Sequence, residues 1–176
     1  MAHILIDGYN LIGIAHDNLE SARDYLLHDL KAYSELKNHV ITVVFDGWKS
    51  GNREQTRIRT RHVTVIYTRI GDTADVVMKR MLTPGTKPWI VVTSDRDISD
   101  FAEKRGFAAV TSEEFEEKLF KALNRCSEES IPDFRPDDVE PDEYGSDTTQ
   151  EFSSKRGASR QHSRREKKKL QALKKL

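Results

Sequence analysis

The sequence predicts an α/β fold in which helices cover both faces of a mostly parallel sheet. Short runs of apolar, often β-branched residues recur along the first 125 residues, and segments with helical apolar spacing separate most of them. Two of these predicted strands follow each other directly, and a predicted helix separates every other consecutive pair. Such alternation is typical of parallel sheets, whose strands are buried on both faces.

Each predicted element is marked by its own residue pattern. Strands are predicted at residues 3–6, 40–45, 63–67, 89–93 and 107–110, where apolar residues run nearly without interruption. Helices are predicted at residues 18–37, 72–82, 97–104 and 112–124, where apolar residues recur three and four positions apart. Pro84-Gly85 and Gly106 end two of these helices, and Thr111 with Glu114 forms a capping box for the last one.

Charge divides the chain into three parts. Residues 127–151 carry ten acids and one Arg, whereas residues 152–176 carry ten Lys or Arg and one Glu. We therefore predict a balanced globular domain at residues 1–126, an acidic disordered linker at residues 127–158 and a basic helical tail at residues 159–176.

Several chemistries are disfavoured by what the sequence lacks. Cys126 is its one cysteine, so neither an internal disulfide nor a cysteine zinc cluster can form. The six histidines are scattered, and no Ser–His or Cys–His nucleophile is apparent. The first residues resemble neither a signal peptide nor a membrane span, and we expect a soluble, cytoplasmic protein.

Acidic residues follow three of the predicted strands and open the helix after another. These acids are Asp7, Asp46, Asp72, Asp75, Asp95 and Asp97. The carboxyl ends of parallel strands meet at one edge of a sheet, which is where such folds bind ligands. We therefore expect the acids, with Asn10 just beyond the first strand, to line one acidic pocket.

Several of these residues also have a purely structural interpretation, which is weaker for Asp7 and Asp95 because each follows a strand expected near the centre of the sheet. Asp72 and Asp75 suit the first turn of a helix, where the helix dipole favours negative charge. Asp46 and Asn10 are equally typical of turns, and Asp97 is typical of a helix cap.

Carboxylates gathered without paired cations repel one another, and a divalent cation would relieve that repulsion. Carboxylate oxygens with an Asn carbonyl are the ligands that Mg²⁺ or Mn²⁺ prefers. Such an ion lowers the pKa of bound water and stabilises charge on a phosphodiester. The acids therefore predict metal-dependent phosphodiester hydrolysis.

A basic segment, predicted as a loop, follows Asp46. Its basic and aromatic residues are Trp48, Lys49, Arg53, Arg57, Arg59 and Arg61. Such groups suit a single-stranded nucleic acid, because the cations neutralise phosphates while a base stacks on the aromatic ring. An ordinary solvated loop is the alternative. The basic tail likewise suits RNA phosphates, with a partner-binding helix as its alternative.

Four motifs in a fixed order carry a family resemblance. They are Ile4-Leu5-Ile6-Asp7-Gly8-Tyr9-Asn10, Val43-Val44-Phe45-Asp46-Gly47, Asp72-Thr73-Ala74-Asp75 and Val92-Thr93-Ser94-Asp95-Arg96-Asp97. Together they resemble the YacP-like NYN-domain family of PIN-like nucleases over about residues 1–125. The resemblance implies a three-layer α/β/α PIN-like fold and an endoribonuclease that depends on Mg²⁺ or Mn²⁺. The best-known branch of the family cuts mRNA on the ribosome.

By motif position, the resemblance also implies roles for single residues. Asp7, Asp75 and Asp95 would be the catalytic acids. The metal ligands would come from Asp7, Asp72, Asp75, Asp95 and Asp97, with Asn10 and Asp46 in support. Hydrolysis by water would leave a 5′-phosphate and a 3′-hydroxyl, because no His or Lys base is apparent that could activate the 2′-hydroxyl.

Other functions would use a related fold. A module that only binds RNA or the ribosome would keep the fold without cleavage. A phospho-acceptor receiver domain needs a Lys after its last strand, whereas Val110 is followed here by Thr111. A haloacid-type phosphatase needs Asp-x-Asp after its first strand, and Asp7-Gly8-Tyr9 does not match that pattern.

Overall fold

A six-stranded sheet forms the centre of the protein. The computed structural model describes residues 1–13, 18–47, 54–83, 85, 87–128 and 163–176. Its strands are β1 (His3–Asp7), β2 (Val40–Phe45), β3 (Thr56–Thr60), β4 (Val63–Tyr67), β5 (Trp89–Val92) and β6 (Ala108–Val110). They lie in the order β3-β4-β2-β1-β5-β6, and every neighbouring pair is parallel except β3 with β4.

Helices cover both faces of this sheet, so the predicted α/β fold is confirmed. In the described part of the chain they are α1 (Gly8–Ile12), α2 (Leu19–Lys37), α3 (Ala74–Met81), α4 (Arg96–Lys104), α5 (Ser112–Glu128) and α6 (Arg164–Lys175). The side chains alternate along each strand, and this alternation separates two apolar cores. Ile4 and Ile6 belong to the core beneath α2 and α5, whereas Leu5 belongs to the core beneath α3 and α4.

Strand β3 corrects the predicted loop after Asp46. It pairs antiparallel with β4, with Ile58 opposite Val65. Its sequence lacks the apolar run that marked the other strands, and most of its residues are exposed. An edge strand with polar residues on both sides is stabilised by its backbone pairing, which leaves little trace in hydropathy.

Helix starts also differ slightly from the predicted ones. The N-cap of α3 is Thr73, and the N-cap of α4 is Asp95 rather than Asp97. The capping box before α5 is present: the Thr111 backbone N–H donates to Glu114 Oε2 over 3.0 Å, and the Glu114 N–H donates to Thr111 Oγ1 over 3.3 Å. The pattern of polar residues at helix starts was therefore informative to within one or two positions.

Helix α6 packs beside β6 and closes that end of the sheet. Ala172 and Leu176 join the core beneath α2 and α5, and the Tyr33 hydroxyl donates to the Leu176 carbonyl oxygen over 2.7 Å. Toward its start, Arg165 pairs with Asp100 and Glu103 of α4. No helix in the described ranges is both long enough and apolar enough to cross a bilayer.

Candidate functional site

The ends of three parallel strands form the rim that carries the acids. Strand β1 ends at Asp7, which is in register with Val44 of β2, and Ile6 is in register with Val92, the last residue of β5. Asp46 therefore follows β2, and Asp95 follows β5, at the same edge of the sheet. This end of the sheet is called the acidic rim below.

Asp7 is the most enclosed acid at the rim, with 6% of its surface exposed. It caps α1: its carboxylate accepts the Asn10 backbone N–H over 3.2 Å and the Asn10 Nδ2–H over 2.9 Å. Asn10 Nδ2 also donates to Thr93 Oγ1 over 3.3 Å, and that oxygen accepts the Asp95 N–H over 3.1 Å. Asn10 and Thr93 thus tie the end of β1 to the end of β5.

Asp46 places the helix that carries Asp75. Its Oδ1 accepts the backbone N–H of Ala74, the first residue of α3. A carboxylate on a free N–H at a helix start is favoured by both the hydrogen bond and the helix dipole. Asp75, the next residue along, is thereby held beside the end of β2.

Asp95 and Asp97 occupy the start of α4. Asp95 accepts the Asp97 backbone N–H over 2.7 Å, so its side chain caps the helix. Asp97 lies exposed in the first turn. The interpretation of Asp97 as the helix cap is therefore wrong by two residues, because Asp95 caps α4.

The carboxylates of the rim interact through their charges. Burial raises the pKa of Asp7, and the charges of Asp75 and Asp46 raise it further, against the opposing effect of its hydrogen bonds with Asn10. Burial also raises the pKa of Asp75, as do the charges of Asp95 and Asp46, while Lys79 opposes them. These four aspartates, Asp7, Asp46, Asp75 and Asp95, therefore form one electrostatic group.

The chemistry of this donor set fits a divalent cation. All four groups are carboxylates, and within the described residues none of them forms an ion pair with Lys or Arg. Carboxylates without paired cations repel one another, and a bound cation relieves that repulsion. In the side-chain positions of the structure, however, no three His, Cys, Asp or Glu residues in the described ranges lie close enough together to hold one ion.

Asp72 lies apart from this group. Its Oδ2 pairs with Arg69 Nε over 3.1 Å and with Arg80 Nη1 over 3.2 Å. Although burial acts to raise it, the hydrogen bonds and charges of the two arginines lower the pKa of Asp72. Asp72 as a metal ligand remains a prediction, but its negative charge is already compensated by these arginines.

The predicted RNA-binding residues separate in the structure. Arg57 and Arg59 lie on β3, opposite Ile66 and Thr64 of β4, and both are exposed. Arg61 lies in the turn to β4, at the end of that strand away from the rim, and its Nη1 pairs with Glu35 Oε1 over 2.8 Å. The other three predicted residues, Trp48, Lys49 and Arg53, lie outside the described residues.

Comparison with known proteins identifies the family. The family model of the YacP-like NYN domain matches residues 4–175. The chain belongs to this family. No curated protein sequence matches it.

Solved structures from one family member are similar to this protein. The structure of Rae1 (YacP) from Bacillus subtilis is 25% identical, with a TM-score of 0.59, and the match covers 73% of this chain and 79% of that one. A tryptophan-to-leucine mutant of the same protein gives 23% identity and a TM-score of 0.60, covering 73% and 80%. As a member of the YacP-like NYN family, the chain contains a nuclease-type domain with a PIN-like fold.

The sequence did not predict three features of the acidic rim. Thr93 links Asn10 to Asp95, and Thr68 donates to the Asp72 carbonyl oxygen over 2.7 Å while accepting the Gly47 N–H over 2.8 Å. Thr93 and Thr68 each directly follow a strand, which was the signal available for them. The third feature, the arginine pair on Asp72, left no comparable signal in the sequence.

Proposed function

We propose that this protein is a divalent-metal-dependent endoribonuclease that hydrolyses single-stranded RNA at the acidic rim. The observation that carries the proposal is the placement of Asp7, Asp46, Asp75 and Asp95, from four separate segments, at the acidic rim: the ends of β1, β2 and β5 are in register, and Asp46 accepts the N–H of the residue before Asp75. Carboxylates gathered in this way repel one another, and a bound divalent cation is the simplest way to relieve that repulsion. Family membership supports the nuclease class.

In this proposal Asp7, Asp75 and Asp95 hold Mg²⁺ or Mn²⁺. Asp97, in the first turn of α4, would be an additional ligand. When bound, the cation supplies charge compensation for the phosphodiester and acidifies a water molecule for hydrolysis. The remaining work is done by residues that fix the ligands. Asn10 orients the Asp7 carboxylate with two hydrogen bonds, and Asp46 anchors the helix that carries Asp75.

The products follow from the groups at the rim. No His or Lys side chain is bonded to Asp7, Asp46, Asp75 or Asp95 within the described residues, so no obvious base is placed to activate a 2′-hydroxyl. Hydrolysis by water would release a 5′-phosphate and a 3′-hydroxyl. We propose mRNA, including mRNA on the ribosome, as the substrate class.

The arginines of β3 would guide the RNA strand. Arg57 lies at the end of β3 nearest the rim, since β3 runs antiparallel to β4, and Arg59 follows on the same face of the sheet. Both are exposed and lie on the sheet edge. They are therefore better placed for RNA phosphates than Arg61, which lies at the far end of the strand and is paired with Glu35.

The decisive test compares the wild type with Asp75→Asn on a 5′-labelled single-stranded RNA, with Mg²⁺ or Mn²⁺ and with a chelator. We expect cleavage to need the metal and to fall at least about 100-fold in the variant, because one anionic ligand is lost. Asp24→Asn, which changes an exposed acid of α2, is the matched control and should cleave as the wild type does.

A second readout does not depend on activity. Because the pKa of Asp75 is raised in the folded state, its charged form opposes folding above that pKa, so metal-free Asp75→Asn should be at least as stable as the wild type at pH 7. Added Mn²⁺ should raise the melting temperature of the wild type more than that of the variant.

Three results would count against the proposal. Equal cleavage by the wild type and Asp75→Asn would indicate a contaminating nuclease. RNA binding without cleavage under any metal condition would favour an RNA- or ribosome-binding module. A 2′,3′-cyclic phosphate product would contradict hydrolysis by water.

A further inference from the structure

Two arginines that share one carboxylate lie next to the acidic rim. Arg69 follows β4, Arg80 lies in the last turn of α3, and both donate to Oδ2 of Asp72. The arginine side chains are 59% and 61% exposed, whereas the Asp72 side chain is 16% exposed. The acid is thus enclosed between two guanidinium groups that face solvent, and the trio carries a net positive charge.

The trio is held in place by the loop between β4 and α3. The Thr68 hydroxyl donates to the Asp72 carbonyl oxygen over 2.7 Å, and the same hydroxyl accepts the Gly47 N–H over 2.8 Å. Gly47 directly follows Asp46, and Asp46 in turn accepts the N–H of Ala74. These bonds fasten the loop that carries Asp72 to the end of β2, within two residues of the helix start that bears Asp75.

A negatively charged rim repels an RNA chain, and this makes a nearby cationic group useful. A metal ion neutralises the phosphate at the centre of the reaction but leaves neighbouring phosphates exposed to the carboxylates. Arginine is suited to that position, since its planar group donates two parallel hydrogen bonds to a phosphate. Each guanidinium here uses one donor nitrogen on Asp72, which leaves further donors for a ligand.

Apolar surface next to the arginines suits a single-stranded chain in particular. Ile70, beside Arg69, is 55% exposed, and Val76, one turn before Arg80, is 39% exposed. Unpaired nucleotides offer both phosphates and the faces of bases, so a cationic group beside apolar side chains can contact both parts. A duplex would keep its bases stacked inside.

We propose that Arg69 and Arg80 bind a backbone phosphate of single-stranded RNA next to the scissile bond, and that Asp72 is a positioning residue that orders the two guanidinium groups. This inference rests on the proposed endoribonuclease activity and assigns Asp72 a role different from metal ligation. Preordered arginines lose less conformational freedom when the phosphate binds. The charge of Asp72 also prevents the two cations from repelling each other.

The test separates RNA binding from cleavage. Binding of a fluorescent single-stranded RNA is measured by anisotropy in chelator at several salt concentrations, and cleavage is then measured with Mn²⁺. For Arg69→Ala with Arg80→Ala we expect Kd and KM to rise about tenfold or more, since charge-assisted hydrogen bonds are lost. The slope of log K against log salt should become shallower by about 0.7 for one lost phosphate contact.

The matched control removes two positive charges elsewhere. Arg105→Ala with Lys121→Ala changes exposed residues at the end of α4 and on α5, away from the rim. We expect this variant to bind RNA within about twofold of the wild type, because general attraction contributes little at moderate salt. Equal weakening in both double variants would overturn the proposal and leave only a net-charge effect.

Asp72→Asn distinguishes positioning from ligation. A positioning role predicts weaker RNA binding in chelator and a raised KM, with an unchanged metal concentration for half-maximal activity. A higher metal requirement with normal binding in chelator would overturn the proposal.

If the wild type binds RNA but does not cleave it, the nuclease proposal fails while the binding comparison still decides the role of the arginines. If the wild type binds no RNA, the arginine proposal is overturned as well.

Discussion

Replacing Gly47 by Ala should disturb the rim through a single backbone clash. A Cβ atom at this position would lie 1.5 Å from the Thr68 carbonyl oxygen and 2.6 Å from its carbonyl carbon. Carbon and oxygen atoms in contact are normally about 3.3–3.6 Å apart, so one backbone segment must move by about 2 Å. Thr68 is fully buried, and its N–H donates to the Phe45 carbonyl oxygen over 3.0 Å.

The size of the effect follows from the bonds that this movement strains. Thr68 makes three of them, to Phe45, to Asp72 and with the Gly47 N–H. At roughly 1 kcal/mol each they sum to about 3 kcal/mol, at the upper end of the usual range for overpacking. For a chain of this size, that loss lowers the melting temperature by about 6–12 °C. Since Asp46 precedes Gly47, we also expect RNA cleavage to fall.

The assay is thermal unfolding by circular dichroism in metal-free buffer, followed by RNA cleavage with Mn²⁺. Gly71→Ala is the matched control, because Gly71 lies in the next loop of the rim with φ of +95° and has nothing within 4 Å of a Cβ. It tests backbone strain without a clash and should cost about 1–2 kcal/mol. A loss for Gly47→Ala no larger than that of Gly71→Ala would refute the steric reasoning.

Two further predictions concern the contacts of α6. Tyr33→Phe removes the hydrogen bond to the Leu176 carbonyl oxygen, and we expect a loss of about 1–2 kcal/mol in urea unfolding, with exposed Tyr25→Phe unchanged as control. The His39 Nδ1 atom accepts the Ala2 N–H, and its Nε2 atom lies 3.0 Å from the Lys175 carbonyl oxygen. Burial lowers the pKa of His39 below 6.5. The stabilising effect of neutral His39 is therefore complete above pH 6.5 and is lost as the pH falls through the lower folded-state pKa. The stability difference between the wild type and His39→Gln should therefore shrink from about pH 8 to about pH 5, and an unchanged difference would contradict the assignment.

The sheet could be predicted because burial on both faces leaves a clear pattern. Strands β1, β2 and β5 are nearly continuous apolar runs; β1 ends in an aspartate, and β2 and β5 are each followed by one within three residues. Parallel order then brings residues from distant segments to one edge without further information. This is why Asp7, Asp46 and Asp95 could be placed together before any contact was known.

Contacts between side chains could not be predicted in the same way. Asp72 and Asp75 are three residues apart on either side of Thr73, the N-cap of α3, and both residues are typical of a helix start. Asp72 pairs with Arg69 and with Arg80, which lies eight residues further on, whereas the pKa of Asp75 is raised by burial and by the charges of Asp95 and Asp46. The choice depends on which long cations reach back along α3, and the residue pattern does not encode this.

Helix α6 shows how charge can conceal a structural role. Its Lys and Arg residues suited either RNA phosphates or a partner protein. In the structure Ala172 and Leu176 lie in the core beneath α2 and α5, and Lys169 pairs with Glu114 of the α5 capping box over 2.9 Å. The family match also extends to residue 175. Removing the chain beyond residue 126 would therefore expose core surface around Tyr33, and lost activity in such a truncation would report instability as readily as lost recruitment. Surface substitutions such as Lys167→Ala and Lys174→Ala, which leave Ala172 and Leu176 in place, are the change that isolates an RNA contact by α6.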